Sequence, residues 1–158
     1  MRRRDREVSD FDQIVQIVEK CPIIHLGMID GAKPYIVPLN FGYQTQDEKI
    51  VFYMHSAAEG RKITLLKNNP QVCFEMEDLI GLYKEALACK WSTEYESVMG
   101  EGRISFIEQP EAKIAAFTNI VRRNGFTGEI NFNPAFLAAT QVYRLDVECI
   151  SAKRNIKS

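Results

Sequence analysis

The sequence predicts a small antiparallel β-barrel with flanking helices. Two observations lead there. Six apolar or alternating runs follow one another across short turn signals. Helical periodicity is confined to a few isolated segments and does not alternate with the strands, which argues against a doubly wound parallel sheet. Six antiparallel strands with helices at their flanks fit a small closed barrel. The 158 residues are read as one domain, 1–158. A chain of this length buries roughly 70% of its unfolded surface, so its core needs neither disulfide nor metal.

The elements follow in order. Ser9 is a predicted helix cap, with Asp12 three residues on as a capping-box acid. Phe11, Ile14, Val15 and Val18 recur at helical spacing, so the spacing predicts a helix over 10–20, broken by Pro22. A hairpin comes next. Its strands are Ile23–Ile29 and Tyr35–Phe41, joined at Asp30-Gly31. Pro38 within the second strand implies an edge, a bulge or a missing ladder bond, which frees the Pro38–Asn40 backbone for another partner. A polar turn at Thr45–Glu48 leads to a strand over Ile50–Met54. Gly60–Lys67 reads as a short helix with Ile63, Leu65 and Leu66 inward, and Gln71–Met76 as a fourth strand. Residues 77–95 are read as a long loop or a helical excursion. Val98–Ile107 is a strand in which Gly100 and Gly102 leave room for a bend or a close approach. Pro110–Arg123 is a helix with Ile114, Phe117, Ile120 and Val121 inward. A short helix over 134–139 precedes a last strand, Gln141–Ile150.

The formal net charge of −1 carries no footprint for nucleic acid, which needs a basic face. The basic start, Arg2-Arg3-Arg4-Asp5-Arg6-Glu7, is a solvated tail or an arm reaching a phosphate or a partner subunit. Cys21, Cys73, Cys89 and Cys149 form no CxxC pair. With His25 and His55 the only histidines, no metal site is expected. The apolar settings of three cysteines suggest buried reduced thiols. No apolar run approaches a membrane span and no signal peptide is evident, so the expectation is a cytoplasmic protein without membrane contact.

The stretch over 52–62, FYMHSAAEGRK, concentrates the chemistry. A strand runs through His55 and Ser56 into a turn, then Gly60 and the cations Arg61 and Lys62 open a helix. A helix start exposes unpaired N–H groups and the positive end of the dipole, so this pattern suits a phosphate. An exposed turn with two solvated charges is the plainer alternative. The Walker pattern is absent. His25, between Ile24 and Leu26, is read as structural.

The segments KPYIVPLNFGY and VFYMHSAAEGRKITLLKNNPQVCFE resemble the FMN-binding split-barrel superfamily typified by pyridoxamine 5′-phosphate oxidase. The fuller likeness is to the Nim-type 5-nitroimidazole resistance flavoproteins. It extends over an MRR-D-R-E leader, the PLNFGY strand, the HSA-x-EGRK turn, Cys89-Lys90-Trp91, and Tyr95-Glu96-Ser97-Val98-Met99-Gly100-Glu101-Gly102. The resemblance implies a six-stranded split β-barrel that binds FMN and works as a homodimer with flavin sites at the interface. It implies a flavin ring against the backbone of Val37, Pro38, Leu39 and Asn40, and a phosphate at His55, Ser56, Gly60, Arg61 and Lys62. It implies that Ser97 and Val98 reach the flavin from the second subunit. Trp91 walls that site or serves as a core or interface aromatic. His55 is either a proton donor to a reduced small-molecule substrate or a hydrogen-bonding partner of the flavin or the turn. The expected activity is reduction of a small planar acceptor such as a nitroaromatic. A non-catalytic flavin- or haem-binding stress protein and a pyridoxamine phosphate oxidase-like enzyme are the alternatives. The segment Ser151–Ser158 lacks the arginine-rich C-terminal motif of pyridoxamine phosphate oxidase, which argues against vitamin B6 oxidation.

Overall fold

The structure, a computed structural model, describes residues 3–157. Met1, Arg2 and Ser158 lie outside them, and with them the first arginine of the basic start. The elements are β1 (Glu7–Val8), α1 (Phe11–Lys20), β2 (Ile24–Asp30), β3 (Lys33–Leu39), β4 (Gly42–Gln46), β5 (Lys49–Ala57), α2 (Arg61–Asn68), β6 (Gln71–Tyr83), β7 (Ser92–Ile107), α3 (Pro110–Arg123), α4 (Pro134–Ala139) and β8 (Thr140–Asn155). They form a single eight-stranded antiparallel sheet in the order β3-β2-β6-β7-β8-β5-β4, with β1 paired to β8. The fold is a split barrel, mostly β, with helices on its flanks.

Two features differ from the sequence expectation. Among the described residues there are eight strands rather than six, and the ladder is not closed: β3 and β4 are its ends. The extra strands are short. β4 sits in a stretch with no apolar alternation and is held by pairing Gly42–Gln46 to Lys49–Tyr53. Its turn puts Asp47 and Glu48 at positive φ, the geometry of a tight hairpin. β1 takes the edge of β8 near Ala152 and Lys153, which ties down the basic start.

Residues 77–95 are neither loop nor helical excursion for most of their length. β6 runs on to Tyr83, β7 begins at Ser92, and a single 3₁₀ turn at Ala88–Lys90 joins them. This hairpin arm exposes Leu79, Leu82, Leu87 and Trp91, so it has no single buried face from which alternation could be read. The other differences are local. Asp10, not Ser9, caps α1 by accepting from Gln13 N–H. The β2–β3 turn is Gly31-Ala32, one residue beyond the expected place, with Gly31 at φ +61°. On α3, Phe117 and Ile120 are buried with Ala116, while Ile114 is exposed.

The main core fills the inside of the curved sheet. Ile14, Ile17 and Val18 of α1 close it, and Phe41, Phe52 and Phe74 stack edge to face at its centre. A second, smaller cluster packs Ala116 and Phe117 of α3 on Val142, on the other side of the β5–β8 pair. Curvature is set where β7 crosses β8. The register slips between Glu101 and Gly102, and a Cβ on Gly102 would stand 2.2 Å from the Asp146 carbonyl oxygen. A Cβ on Gly100 would stand 2.4 Å from the Cys149 carbonyl oxygen. The glycines serve close approach, as the sequence suggested.

One carboxylate is deeply buried. Glu96 on β7 is 1% exposed and accepts from Lys20 of α1 at 2.6 Å and from Arg154 of β8. Burial opposes its ionisation, but the two cations outweigh burial and hold Glu96 below the ordinary glutamate range. Glu96→Ala leaves two cations without their acceptor, and we expect a loss of about 3 kcal/mol in urea unfolding. Because the folded value is depressed, this stabilisation is present above the unfolded glutamate range and disappears as pH falls through the folded value. The wild type should therefore lose more stability on acidification than the variant.

Candidate functional site

The predicted phosphate turn forms at the end of β5. Gly60 is the residue before α2, at φ +129°, a conformation that favours glycine, and no side chain caps the helix. The first N–H groups of α2 therefore lack an intramolecular side-chain acceptor. Arg61 and Lys62 open the helix and divide in role. Arg61 donates to Asp30 at 2.8 Å and 2.5 Å and lies 4.3 Å over the Tyr35 ring. It thereby fastens the start of α2 to the β2–β3 hairpin. Lys62 has no carboxylate partner among the described residues; its ammonium stands 5.9 Å over the Tyr143 ring. Burial pushes its pKa below the ordinary lysine value.

Around Lys62 several polar atoms are unsatisfied. The Tyr143 hydroxyl and His55 Nδ1 are buried without hydrogen-bond partners among the described residues. Tyr143 is fully buried, and its burial raises the phenol pKa, with Ser56 beside it acting in the opposite sense. Ser56 turns its own hydroxyl to the Ala57 carbonyl. The His55 ring packs at a tilt against Phe117 of α3, with 4.8 Å between centroids, and Phe117 also meets Phe132 and Phe136. His55 thus lies between the turn and the α3–α4 aromatic cluster. Burial first, then the Lys62 charge, depress its pKa.

β3 is an edge strand, as Pro38 suggested. It pairs only with β2, and Pro38 stands opposite His25. Val37 and Leu39 are half-buried, while Pro38 and Asn40 are exposed. The outer backbone row of β3 has no ladder partner. Nor do Met54–Ala57 on the β4 side of β5, since β4 begins at Gly42 opposite Tyr53. The Arg61–Tyr35 contact brings the uncapped helix start next to that free strand.

The remaining predicted residues lie elsewhere. Ser97 is half-buried, but Val98 points into the core and is fully buried, so only its backbone is accessible. Trp91 is 53% exposed on the hairpin arm and donates its indole N–H to the Glu85 carbonyl at 2.7 Å. Of the cysteines, only Cys21 is buried, and desolvation lifts its thiol to about 12. Cys73, Cys89 and Cys149 are exposed, against the expectation of buried thiols, because they sit on outward positions of β6 and β8 and on the 3₁₀ turn.

Sequence reasoning missed the outer face of the sheet. A concavity of about 740 Å³ lies there, bordered by Ile36, Phe74, Met99 and Ile150. At its margin His25 stands beside Glu75 and Glu77. Burial and the Glu77 carboxylate raise Glu75 to about 7, against the opposing pull of His25. The i, i+2 spacing of Glu75 and Glu77 was the available signal, but it points to one face only once β6 is recognised as continuing past Met76.

Comparison with known proteins agrees with this architecture. The family profile described as pyridoxamine 5′-phosphate oxidase matches residues 10–154, so the chain belongs to that family. Its fold is similar to that of a candidate 5-nitroimidazole antibiotic resistance protein from Bacteroides thetaiotaomicron, at 28% identity and a TM-score of 0.80, covering 93% of this chain and 85% of the other. It is similar to a flavocytochrome from Azotobacter vinelandii, at 21% identity and TM-score 0.82, covering 99% and 72%. A FAD- and haem-binding protein from Mycobacterium smegmatis shares the fold at 18% identity and TM-score 0.84, covering 96% and 74%. Comparison with curated proteins finds no match. No helix among the described residues is long and apolar enough to cross a membrane.

The electrostatics of His55 are open to direct measurement. In an NMR titration of the imidazoles, His55 should titrate below the usual value of about 6.5. Lys62→Met should move it upward, since one of the two depressing causes is gone. The neutral folded form contributes stability above the unfolded histidine value, and this is lost as pH falls from there toward the folded value. An unchanged His55 in the variant would remove Lys62 as a cause.

Proposed function

We propose that this chain is an FMN-binding flavoprotein and that it acts as a homodimeric oxidoreductase on a small planar acceptor such as a nitroaromatic. The observation that carries this reading is the uncapped start of α2 with the unpaired, half-buried Lys62. A dianionic phosphate would supply what that place lacks: acceptors for the free N–H groups and a counter-charge for the ammonium. The orphaned Tyr143 hydroxyl and His55 Nδ1 beside Lys62 fit the same group. Gly60 leaves the approach open, since a Cβ there would meet nothing within 4 Å.

In this reading Lys62 and the α2 N–H groups hold the phosphate, and Arg61 holds α2 against the β2–β3 hairpin. The free backbone row at Val37–Asn40 offers donors and acceptors to the edge of a flat heterocycle. Flavin chemistry, when the group is bound, is electron transfer from a reduced donor to the acceptor. His55 is held neutral at neutral pH, which suits hydrogen bonding first and proton donation only after it has gained a proton. The family membership and the likeness to the Bacteroides protein support the nitroaromatic acceptor class. The apolar side chains of the β6–β7 arm and the outer concavity support a second copy of the chain. Ser97 and Trp91 are then the residues offered across that interface. A cytoplasmic location belongs to the same proposal.

The test is the visible spectrum of the purified protein with added FMN, followed by titration. A two-band flavin spectrum and saturable FMN binding are expected. Lys62→Met should weaken FMN binding by roughly tenfold or more, the value of a lost charge-assisted hydrogen bond. Riboflavin, which lacks the phosphate, should bind wild type and variant alike. A sharp Soret band without flavin bands, or no binding of FMN at all, would overturn the proposal.

A further inference from the structure

The outer face of β2 and β6 carries a cluster remote in chemistry from the phosphate turn. β2 meets β6 over just three residue pairs, His25↔Glu75, Leu26↔Phe74 and Gly27↔Cys73. Side chains alternate along a strand, so Leu26, Phe74 and Met76 enter the core while His25, Glu75 and Glu77 emerge together on the outside. His25 Nδ1 lies 3.3 Å from a Glu75 oxygen and 3.7 Å from a Glu77 oxygen. One donor atom from each residue lies within 4.8 Å of the others.

Two things set this cluster apart from an ordinary acidic patch. First, His25 Nδ1 is shielded from solvent and makes no hydrogen bond, although a carboxylate oxygen is 3.3 Å away. The ring nitrogen is placed among the carboxylates but not aligned to donate to either. Second, no lysine or arginine among the described residues pairs with Glu75 or Glu77. The same sheet neutralises the buried Glu96 with two cations, whereas these two half-exposed neighbouring carboxylates have only His25 beside them. The residues directly opposite in the adjoining strands are uncharged, Pro38 of β3 opposite His25 and Met99 and Ser97 of β7 opposite Glu75 and Glu77; the charged group facing the same concavity is a further carboxylate, Glu101 of β7.

We propose that His25, Glu75 and Glu77 form a binding site for a divalent first-row transition ion. One imidazole nitrogen and two carboxylate oxygens suit such an ion, with water in the remaining positions. Ligand atoms about 2.0–2.2 Å from a zinc-sized ion stand roughly 3.2–3.6 Å apart in a tetrahedral site. The two His25–glutamate separations already lie near that range, and the exposed side chain of Glu77 has room to adjust. The ion supplies the missing positive charge. It also ties the β2–β3 hairpin to the body of the sheet at the first rung of its short ladder with β6. Metal binding and the position of the Val37–Asn40 edge are thereby linked.

The experiment uses the full-length protein, stripped with a chelator and dialysed. Zn²⁺ uptake is measured by calorimetry, and Co²⁺ by its visible spectrum. One ion per chain is expected, with weak d–d bands for Co²⁺ and a raised melting temperature. His25→Ala, Glu75→Gln and Glu77→Gln should each weaken binding by at least about tenfold, a loss seen even for residues that merely support a ligand. Glu77 is exposed, so its variant keeps the fold, and circular dichroism checks the other two. Cys73→Ser should bind as the wild type does. Absence of saturable uptake, uptake indifferent to all three variants, or an intense thiolate-to-cobalt band that vanishes in Cys73→Ser would each overturn the proposal.

Discussion

The structure depends on the bend in its two longest strands. β7 and β8 each run for 16 residues, far longer than a flat strand in a domain of this size can stay paired inside one core. The slip between Glu101 and Gly102 bends them, and the side-chain-free positions 100 and 102 let the β8 backbone press in. Below the bend β8 pairs with β5, and near its end it takes up β1. One curved ribbon thus collects strands from both ends of the chain around a single core. Without the bend, Val72, Phe74 and Met76 of β6 and Phe52 and Met54 of β5 would not face one another.

The helices are then fastened by polar contacts aimed at backbone ends. Arg123, at the end of α3, donates to the carbonyls of Val18 at 2.8 Å and Cys21 at 2.7 Å and lies 3.8 Å over the Phe41 ring. It satisfies the carbonyls that the last turn of α1 leaves open. Asn124 bonds Ile120 at the end of its own helix, and Asn119 bonds the Tyr43 carbonyl. The starts of α2 and α3 both lack a side-chain cap, but α3 opens with Pro110, whereas α2 follows a glycine and carries a cation without a carboxylate.

Legibility in the sequence followed burial. Elements with one wet and one dry face could be read: α1 from Phe11, Ile14, Val15 and Val18, a set that omits the buried Ile17; α2 from Ile63, Leu65 and Leu66; and the pattern Val98–Ile107. The β6–β7 arm could not be read, because its apolar residues are exposed on a projecting hairpin and obey no single-face alternation. β4 was invisible because a short polar strand is specified by its turn and partner, not by its own side chains. In the candidate site, the glycine–arginine–lysine helix start was legible from local chemistry. The division of labour between Arg61 and Lys62 was not, since it depends on Asp30 and Tyr35, which the hairpin brings from 25 or more residues away. At Val98, strand alternation commits the side chain to the core, so a contact there could involve only the backbone.

Unsatisfied polar groups are costly when buried, so their distribution carries information. In the interior, Glu96 and Asn155 find partners, and so does the Arg123 Nη2. Three orphans fall in two places: His55 Nδ1 and the Tyr143 hydroxyl beside Lys62, and His25 Nδ1 between two glutamates; Asn119 Oδ1, Arg123 Nε and Arg144 Nε are the others among the described residues. The first place is short of negative charge and the second is short of positive charge. The β2–β3 hairpin joins them, because Arg61 clasps its turn through Asp30 and Tyr35 while His25 sits at its opposite end. The edge strand with its free backbone row is therefore held at both ends by contacts that charged ligands would reinforce. On both proposals, ligands at the two places would act on the Val37–Asn40 edge through this hairpin rather than through the core.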